Sequence, residues 1–104
     1  MKILTATDLK ARLDAAPLTV LDVRTDEELS LAALPGVRHI PMQELPARIG
    51  ELDAAAPVAV LCHHGVRSEM AGRFLERNGF TEVYSVAGGI DAWSVDVDPA
   101  VPRY

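Results

Sequence analysis

The chain contains little cysteine, few aromatic side chains and less positive than negative charge. Among its 104 residues there is one cysteine, 5% of the residues are aromatic, and 10 lysines and arginines accompany 15 aspartates and glutamates. A single cysteine cannot close an intramolecular disulfide, which excludes a disulfide-stabilised secreted scaffold. The formal net charge of -5 argues against nucleic acid or an anionic membrane as a partner, because both repel an acidic surface. The expected partners are a protein or a small molecule.

Long hydrophobic runs and a secretory leader are also missing. The longest apolar stretch, AAAPVAVLC at 54–62, contains a proline and is too short to cross a bilayer. No charged segment followed by an apolar one opens the chain, as it would in a signal peptide. We therefore expect a soluble, cytoplasmic protein, and the length predicts a single domain over residues 1–104.

The apolar residues that are present indicate strands alternating with helices. Leucine, valine, isoleucine and alanine dominate the 49% of hydrophobic residues, and β-branched runs at 18–24, 58–62 and 82–86 predict buried strands. Such alternation favours right-handed βαβ crossovers. The sequence therefore predicts an α/β fold with a largely parallel central sheet and helices on both faces.

Capping patterns and apolar spacing locate the helices. Thr5 with Asp8 and Thr25 with Glu28 are typical of helix starts. Residues 43–52 show helical spacing despite Pro46. A longer helix is predicted from Glu69 to a stop at 78–79, with a core-facing stripe of Met70, Ala71, Phe74 and Leu75.

The stretch LCHHGVRS at 61–68 is the candidate reactive segment. Cys62 ends a predicted strand, at the edge where parallel sheets form their ligand crevice. A following helix offers unpaired backbone N–H groups, which together with a guanidinium favour a thiolate over a thiol. Gly65 permits the turn, and Ser68 is predicted to cap the helix. These neighbours indicate a nucleophilic Cys62 rather than the buried apolar side chain that a lone cysteine usually is.

The remaining residues of this loop do not form a metal-binding pattern. His63 and His64 are adjacent to each other and to Cys62, which makes joint binding of one ion difficult, and no second cysteine stands at a ligand spacing. We therefore expect no metal and no cofactor. Arg67 is expected to direct its guanidinium to the mouth of the anion site rather than into solvent.

At these residues the sequence resembles the rhodanese family, whose active loop reads C-x-x-G-x-R-S. The match is carried by Cys62, Gly65, Arg67 and Ser68, and LDVR at 21–24, PGVRHIP at 35–41 and GGIDAW at 88–93 resemble three further motifs of that family. The resemblance implies a sulfurtransferase in which Cys62 takes a sulfane sulfur from thiosulfate or a related donor. The resulting persulfide would pass the sulfur to a thiol or cyanide. It also implies an active loop formed by His63, His64, Gly65, Val66, Arg67 and Ser68.

Outside the loop the resemblance assigns supporting roles and shows departures. Asp22 is expected to brace the adjoining loops while Arg24 pairs with Glu27 or Glu28, the alternative for Arg24 being a plain surface ion pair. Residues 32–34 read Ala-Ala-Leu where the family carries Gly-His-Ile before Pro-Gly, and residue 29 is leucine where an aromatic is frequent. The Gly88-Gly89 pair is interpreted as a turn and Trp93 as a core residue.

Two alternative functions remain open. Cysteine phosphatases and arsenate reductases also place cysteine and arginine around an anion loop, but they use C-x5-R, whereas Cys62 and Arg67 form C-x4-R. The shorter loop changes how many N–H groups converge on an anion. The other alternative is a persulfide carrier or docking module that does not turn over a small donor.

Overall fold

A computed structural model describes all 104 residues and contains one five-stranded sheet in the order β1-β5-β4-β2-β3. The strands are β1 (Lys2–Leu4), β2 (Thr19–Asp22), β3 (Arg38–His39), β4 (Val58–Leu61) and β5 (Val83–Val86). All four strand pairings are parallel. The predicted parallel α/β architecture is confirmed, and β4 occupies the centre of the sheet.

Five helices connect the strands and cover the sheet. They are α1 (Ala6–Ala15), α2 (Asp26–Leu31), α3 (Leu45–Arg48), α4 (Val66–Arg77) and α5 (Gly89–Asp96). Short 3-10 turns at Met42–Glu44 and Ile49–Glu51 flank α3. None of the helices has both the length and the apolar character that a membrane crossing would require.

The side chains of β4 alternate between two hydrophobic cores, one on each face of the sheet. Ala59 and Leu61 join the core that includes α1 and α5, where Trp93 lies as expected. Val58, Val60 and Cys62 join the other core, which includes side chains of α3 and α4. Because side chains of a strand point to alternate faces, Cys62 extends the β4 pattern toward α4.

Two predicted caps form as the sequence indicates. The hydroxyl of Thr5 accepts a hydrogen bond from the backbone N–H of Asp8 at the start of α1. At α2 the cap is reciprocal, because the Glu28 N–H donates to the Thr25 hydroxyl and the Thr25 N–H donates to the Glu28 carboxylate. This capping box fixes Glu28 near the carboxyl edge of the sheet.

Three local expectations are corrected. The helix predicted from Glu69 begins at Val66 with Gly65 as its cap, because glycine can take the left-handed conformation found there. Met70 does not face the core, since it is 53% exposed. The helix predicted at 43–52 is divided into 3-10, α and 3-10 turns. In addition, the structure contains a strand, β1, for which the sequence made no prediction. Ala32 and Leu34 are buried in the α1–α5 core.

Candidate active site

Cys62 follows β4 directly and lies at the carboxyl edge of the sheet. Its side chain is only 1% exposed. Two backbone N–H groups donate to its sulfur, that of Gly65 at 3.0 Å and that of Ser68 at 3.4 Å. The loop between β4 and α4 thus wraps around the sulfur with hydrogen-bond donors.

Four further backbone N–H groups of the same loop have no acceptor within the protein. They belong to His63, His64, Val66 and Arg67. Two of these residues open α4, whose first N–H groups have no intrahelical partner and carry the positive end of the helix dipole. Anions are stabilised by such an arrangement.

Gly65 is required by the shape of this loop. Its φ of 110° is left-handed, and a Cβ there would come within 3.3 Å of the Gly88 nitrogen. Any side chain would therefore strain the backbone and crowd the neighbouring turn. Glycine at this position allows a tight turn in which the Gly65 N–H donates to the Cys62 sulfur.

The Gly88-Gly89 turn holds the cysteine loop from the opposite side. Both residues have positive φ, which agrees with the interpretation of this pair as a turn. The N–H of Ile90 donates to the Cys62 carbonyl at 2.8 Å, and that of Asp91 donates to the His63 carbonyl at 3.2 Å. A Cβ on Gly89 would overlap both carbonyl oxygens. The start of α5 therefore fixes the backbone of the cysteine loop, a role that the sequence motif alone did not indicate.

Ser68 is not the helix cap that the sequence predicted, because it lies at the third position of α4. Its hydroxyl donates to the Gly65 carbonyl at 2.9 Å and lies 2.6 Å from the Ser85 hydroxyl. With the Ser68 proton used on Gly65, Ser85 is the donor between the two hydroxyls. This buried pair ties the start of α4 to β5.

Arg67 forms an ion pair with Glu28. Its two terminal nitrogens lie 2.5 and 2.9 Å from the two carboxylate oxygens. The ion pair holds the pKa of Glu28 well below its usual range, against the effect of burial, and raises the pKa of Arg67. The guanidinium is therefore partnered by a carboxylate and is not a plain solvated charge, while its expected direction toward the mouth of the anion site stays a prediction.

Asp22 and Arg24 form a second ion pair, which is fully buried. The Arg24 guanidinium donates to the Asp22 carboxylate at 2.7 to 3.2 Å. Its contact with Glu28 is to the backbone carbonyl, at 3.4 Å, and not to the carboxylate. The predicted pairing with Glu27 or Glu28 is therefore wrong, as is the surface ion pair. The physical reason is that two buried charges of opposite sign must satisfy each other. Burial lowers the pKa of Arg24, but its bonds to Asp22 and Tyr104 outweigh that effect.

Tyr104 connects the two ion pairs and was not anticipated from the sequence. Its hydroxyl accepts from Arg24 at 3.0 Å and donates to Glu28 at 2.7 Å. Its ring stacks on the His63 ring with centroids 3.8 Å apart, and partial burial raises the pKa of Tyr104. The Nε2 atom of His63 is buried without a hydrogen-bond partner. Because Tyr104 lies 80 positions from Arg24 and 76 from Glu28, no local sequence pattern indicates these contacts.

This arrangement suits a nucleophile that reacts with an anion. The sulfur of Cys62 and the free N–H groups share one loop. Beside it, Arg24 and Arg67 are connected to each other by hydrogen bonds through Tyr104 and Glu28. No three histidine, cysteine, aspartate or glutamate side chains lie close enough together to hold a metal ion.

Comparison with known proteins gives a consistent result. The family model described as the Rhodanese-like domain matches residues 5–96. The chain is 32% identical over 84 residues to thiosulfate sulfurtransferase GlpE of Vibrio cholerae, which covers 81% of this chain and 79% of the relative. A rhodanese-related protein from Thermoplasma volcanium has a crystal structure that superposes with a TM-score of 0.87 at 34% identity, covering all of both chains.

A further relative is larger than this chain. The match to YrkF of Bacillus subtilis, named as a candidate sulfur carrier protein, is 43% identical over 77 residues. It covers 74% of this chain but only 42% of YrkF. The likeness therefore concerns less than half of that protein.

Proposed function

Because the chain belongs to the rhodanese family, we propose that it is a sulfurtransferase in which Cys62 carries the transferred sulfur as a persulfide. The donor is thiosulfate or a related sulfane compound, and the acceptor is a thiol or cyanide. The observation that carries this proposal is the loop of 62–68, where one buried sulfur is hydrogen-bonded by two N–H groups and four more N–H groups have no protein acceptor.

In the first step the Cys62 thiolate attacks the outer sulfur of thiosulfate. A bond forms between Sγ and that sulfur, the bond from that sulfur to the sulfite sulfur breaks, and sulfite leaves with the electron pair. The negative charge then resides on the outer persulfide sulfur. The unpartnered N–H groups of the loop stabilise this charge without having to reorganise.

In the second step the acceptor attacks the outer sulfur of the persulfide. The bond between the two sulfurs breaks and its electron pair returns to Sγ, which restores the thiolate. Cyanide leaves as thiocyanate, and a thiol leaves as a persulfide. Attack on the outer sulfur suits the burial of Cys62, because the acceptor does not need to reach Sγ itself.

The charges around the loop support a leading role for the backbone. Arg67 is neutralised by Glu28, and Arg24 is neutralised by Asp22. The side chains of this network therefore contribute little net positive charge to an incoming dianion. Stabilisation of the donor would rest mainly on N–H groups and the α4 dipole.

A persulfide carrier is the second candidate, favoured by the likeness to YrkF. Such a protein would load from the persulfide of a partner and ignore thiosulfate. We also take residues 1–104 to act as one domain in a reducing compartment such as the cytoplasm, supported by the free cysteine and the need for thiol acceptors.

Steady-state formation of thiocyanate from thiosulfate and cyanide tests the proposal. We expect double-displacement kinetics that depend on both reactants, and no turnover by Cys62→Ser. Loading only from a persulfidated protein would establish the carrier instead. Cys62-dependent hydrolysis of an aryl phosphate without sulfur transfer would replace both with a phosphatase.

A further inference from the structure

A groove outside the cysteine loop runs along α4. It has a volume of about 400 Å³ and lies between α4 and the segment at 42–46. We call it the α4 groove and define it by four apolar residues on its floor and two arginines at its rim, namely Met42, Leu45, Met70, Phe74, Arg73 and Arg77. It shares no lining residue with the loop of 62–68.

Exposed apolar side chains connect the cysteine loop to this groove. Val66 is 69% exposed and Met70 is 53% exposed, although the buried face of the same helix is formed by Ala71 and Leu75. Residues four apart lie on one side of a helix. Val66 and Met70 therefore form a row that begins beside the proposed nucleophile and enters the groove.

The rim of the α4 groove has positive charges without partners. Six of the eight arginines in the chain form ion pairs with carboxylates, namely Arg12, Arg24, Arg38, Arg48, Arg67 and Arg103. Arg73 and Arg77 form none, and both belong to the groove.

Two of the acidic residues near these arginines have other partners. Glu76 binds the amino group of Met1, and Glu44 pairs with Arg48. Glu69 stands four residues before Arg73 and therefore shares its side of α4, but the two side chains form no ion pair. In a chain of net charge -5, the groove therefore combines an apolar floor with a positive rim that attracts carboxylates.

We propose that the α4 groove docks the protein that exchanges sulfur with Cys62, through a segment with an aliphatic side chain for the floor and carboxylates for Arg73 and Arg77. This inference rests on the proposed function. The partner's cysteine thiolate would attack the outer sulfur of the Cys62 persulfide, the sulfur–sulfur bond would break, and its electrons would return to Sγ. A small donor does not extend to the groove, whereas a protein can contact both places at once.

Helix geometry gives the spacing that the partner needs. With a rise of about 1.5 Å per residue, Arg73 lies roughly 10 Å and Arg77 roughly 16 Å along the helix from Val66. An extended segment advances about 3.3 Å per residue. Carboxylates about three and five residues from the partner's cysteine would therefore meet the two arginines.

Two synthetic peptides test this geometry. The acidic peptide carries a cysteine, a leucine, and aspartates at the third and fifth positions beyond the cysteine, and the basic peptide has lysines instead of the aspartates. With Cys62 loaded as persulfide, transfer to the acidic peptide should be roughly tenfold faster or more, because charge complementarity raises the association rate. This advantage should fall as salt is added.

Variants locate the effect. The double substitution Arg73→Glu with Arg77→Glu should abolish or invert the preference, while sulfur loading from thiosulfate and discharge by 2-mercaptoethanol stay unchanged. The matched control is Arg12→Glu with Arg38→Glu, which changes the net charge equally at exposed arginines elsewhere and should retain the preference. Equal rates for the two peptides, or equal loss in both double variants, would overturn the proposal.

Binding without chemistry separates this proposal from the proposed function. In Cys62→Ser, a fluorescent acidic peptide with serine in place of its cysteine should still bind, and the double substitution at Arg73 and Arg77 should remove that binding. Failure of Cys62 to load refutes the proposed function, whereas absence of this binding refutes the docking site. A dimer in sedimentation that this double variant dissociates would make the occupant a second copy and overturn the proposal.

Discussion

Gly89→Ala should damage the cysteine loop more than its distance from the sulfur suggests. Two effects combine at this position. The φ of 60° is one that non-glycine residues adopt only with strain, about 1 kcal/mol or more. The added Cβ also overlaps the carbonyls of Cys62 and His63, so the start of α5 has to move away from the loop.

The cost can be estimated from the contacts that would break. Moving α5 away removes the hydrogen bonds from Ile90 and Asp91 to those carbonyls, which span 2.8 and 3.2 Å. Each contributes roughly 1 kcal/mol. Together with the strain, the loss of unfolding free energy should reach about 3 kcal/mol, which lowers the urea midpoint by roughly 1 to 3 M.

Gly79→Ala is the matched control. Gly79 has a φ of 91° but no heavy atom within 4 Å of its would-be Cβ, and it lies beyond the opposite end of α4. The Gly79→Ala variant should lose only the unfolding free energy that corresponds to backbone strain, with an unchanged rate of sulfur loading, whereas Gly89→Ala should load slowly. Urea unfolding and loading kinetics on both variants check this. Equal destabilisation by the two substitutions, or normal loading by Gly89→Ala, would refute the reasoning.

Two further predictions concern the ion pair beside the loop. Arg67→Ala should lower kcat/KM for thiosulfate by about tenfold or more, because it leaves the Glu28 carboxylate unneutralised beside the loop that receives a dianion. The loss should exceed that of His63→Ala or His64→Ala, since neither of those changes removes a permanent charge, and steady-state kinetics showing equal or reversed effects would contradict this. Glu28→Gln should lower the unfolding free energy at pH 7 by roughly 2 kcal/mol. Since the pKa of Glu28 is depressed in the folded state, this loss of unfolding free energy should persist above the unfolded pKa of about 4.3 and shrink below it. Urea unfolding at several pH values checks this, and a loss that does not change with pH would exclude the ion pair as its cause.

Local patterns predicted the fold and the position of the cysteine well. The alternation of strands and helices, the capping box at Thr25 and Glu28, and the placement of Cys62 at a strand end depend on short stretches of sequence. Each is determined by neighbours a few residues apart. That is why the central sheet and the position of the loop after β4 could be predicted from the sequence alone.

Partnerships across the chain could not be predicted in the same way. Arg67 binds a residue 39 positions away, and Arg24 contacts Tyr104 across 80 positions. Neither spacing leaves a periodic trace in the sequence. The exposure of Met70 was missed for a related reason, because apolar spacing does not distinguish side chains that enter the core from apolar side chains left exposed.

The mass of the intact protein tests the central claim most directly. After incubation with thiosulfate and no acceptor, the wild type should gain the mass of one sulfur atom, located on Cys62, and cyanide should remove that mass and release thiocyanate. Cys62→Ser should fold, because the change is small and its hydroxyl can accept the same N–H bonds, yet it should gain nothing. An unchanged wild-type mass with every sulfane donor, or an equal gain by Cys62→Ser, would contradict the persulfide at Cys62.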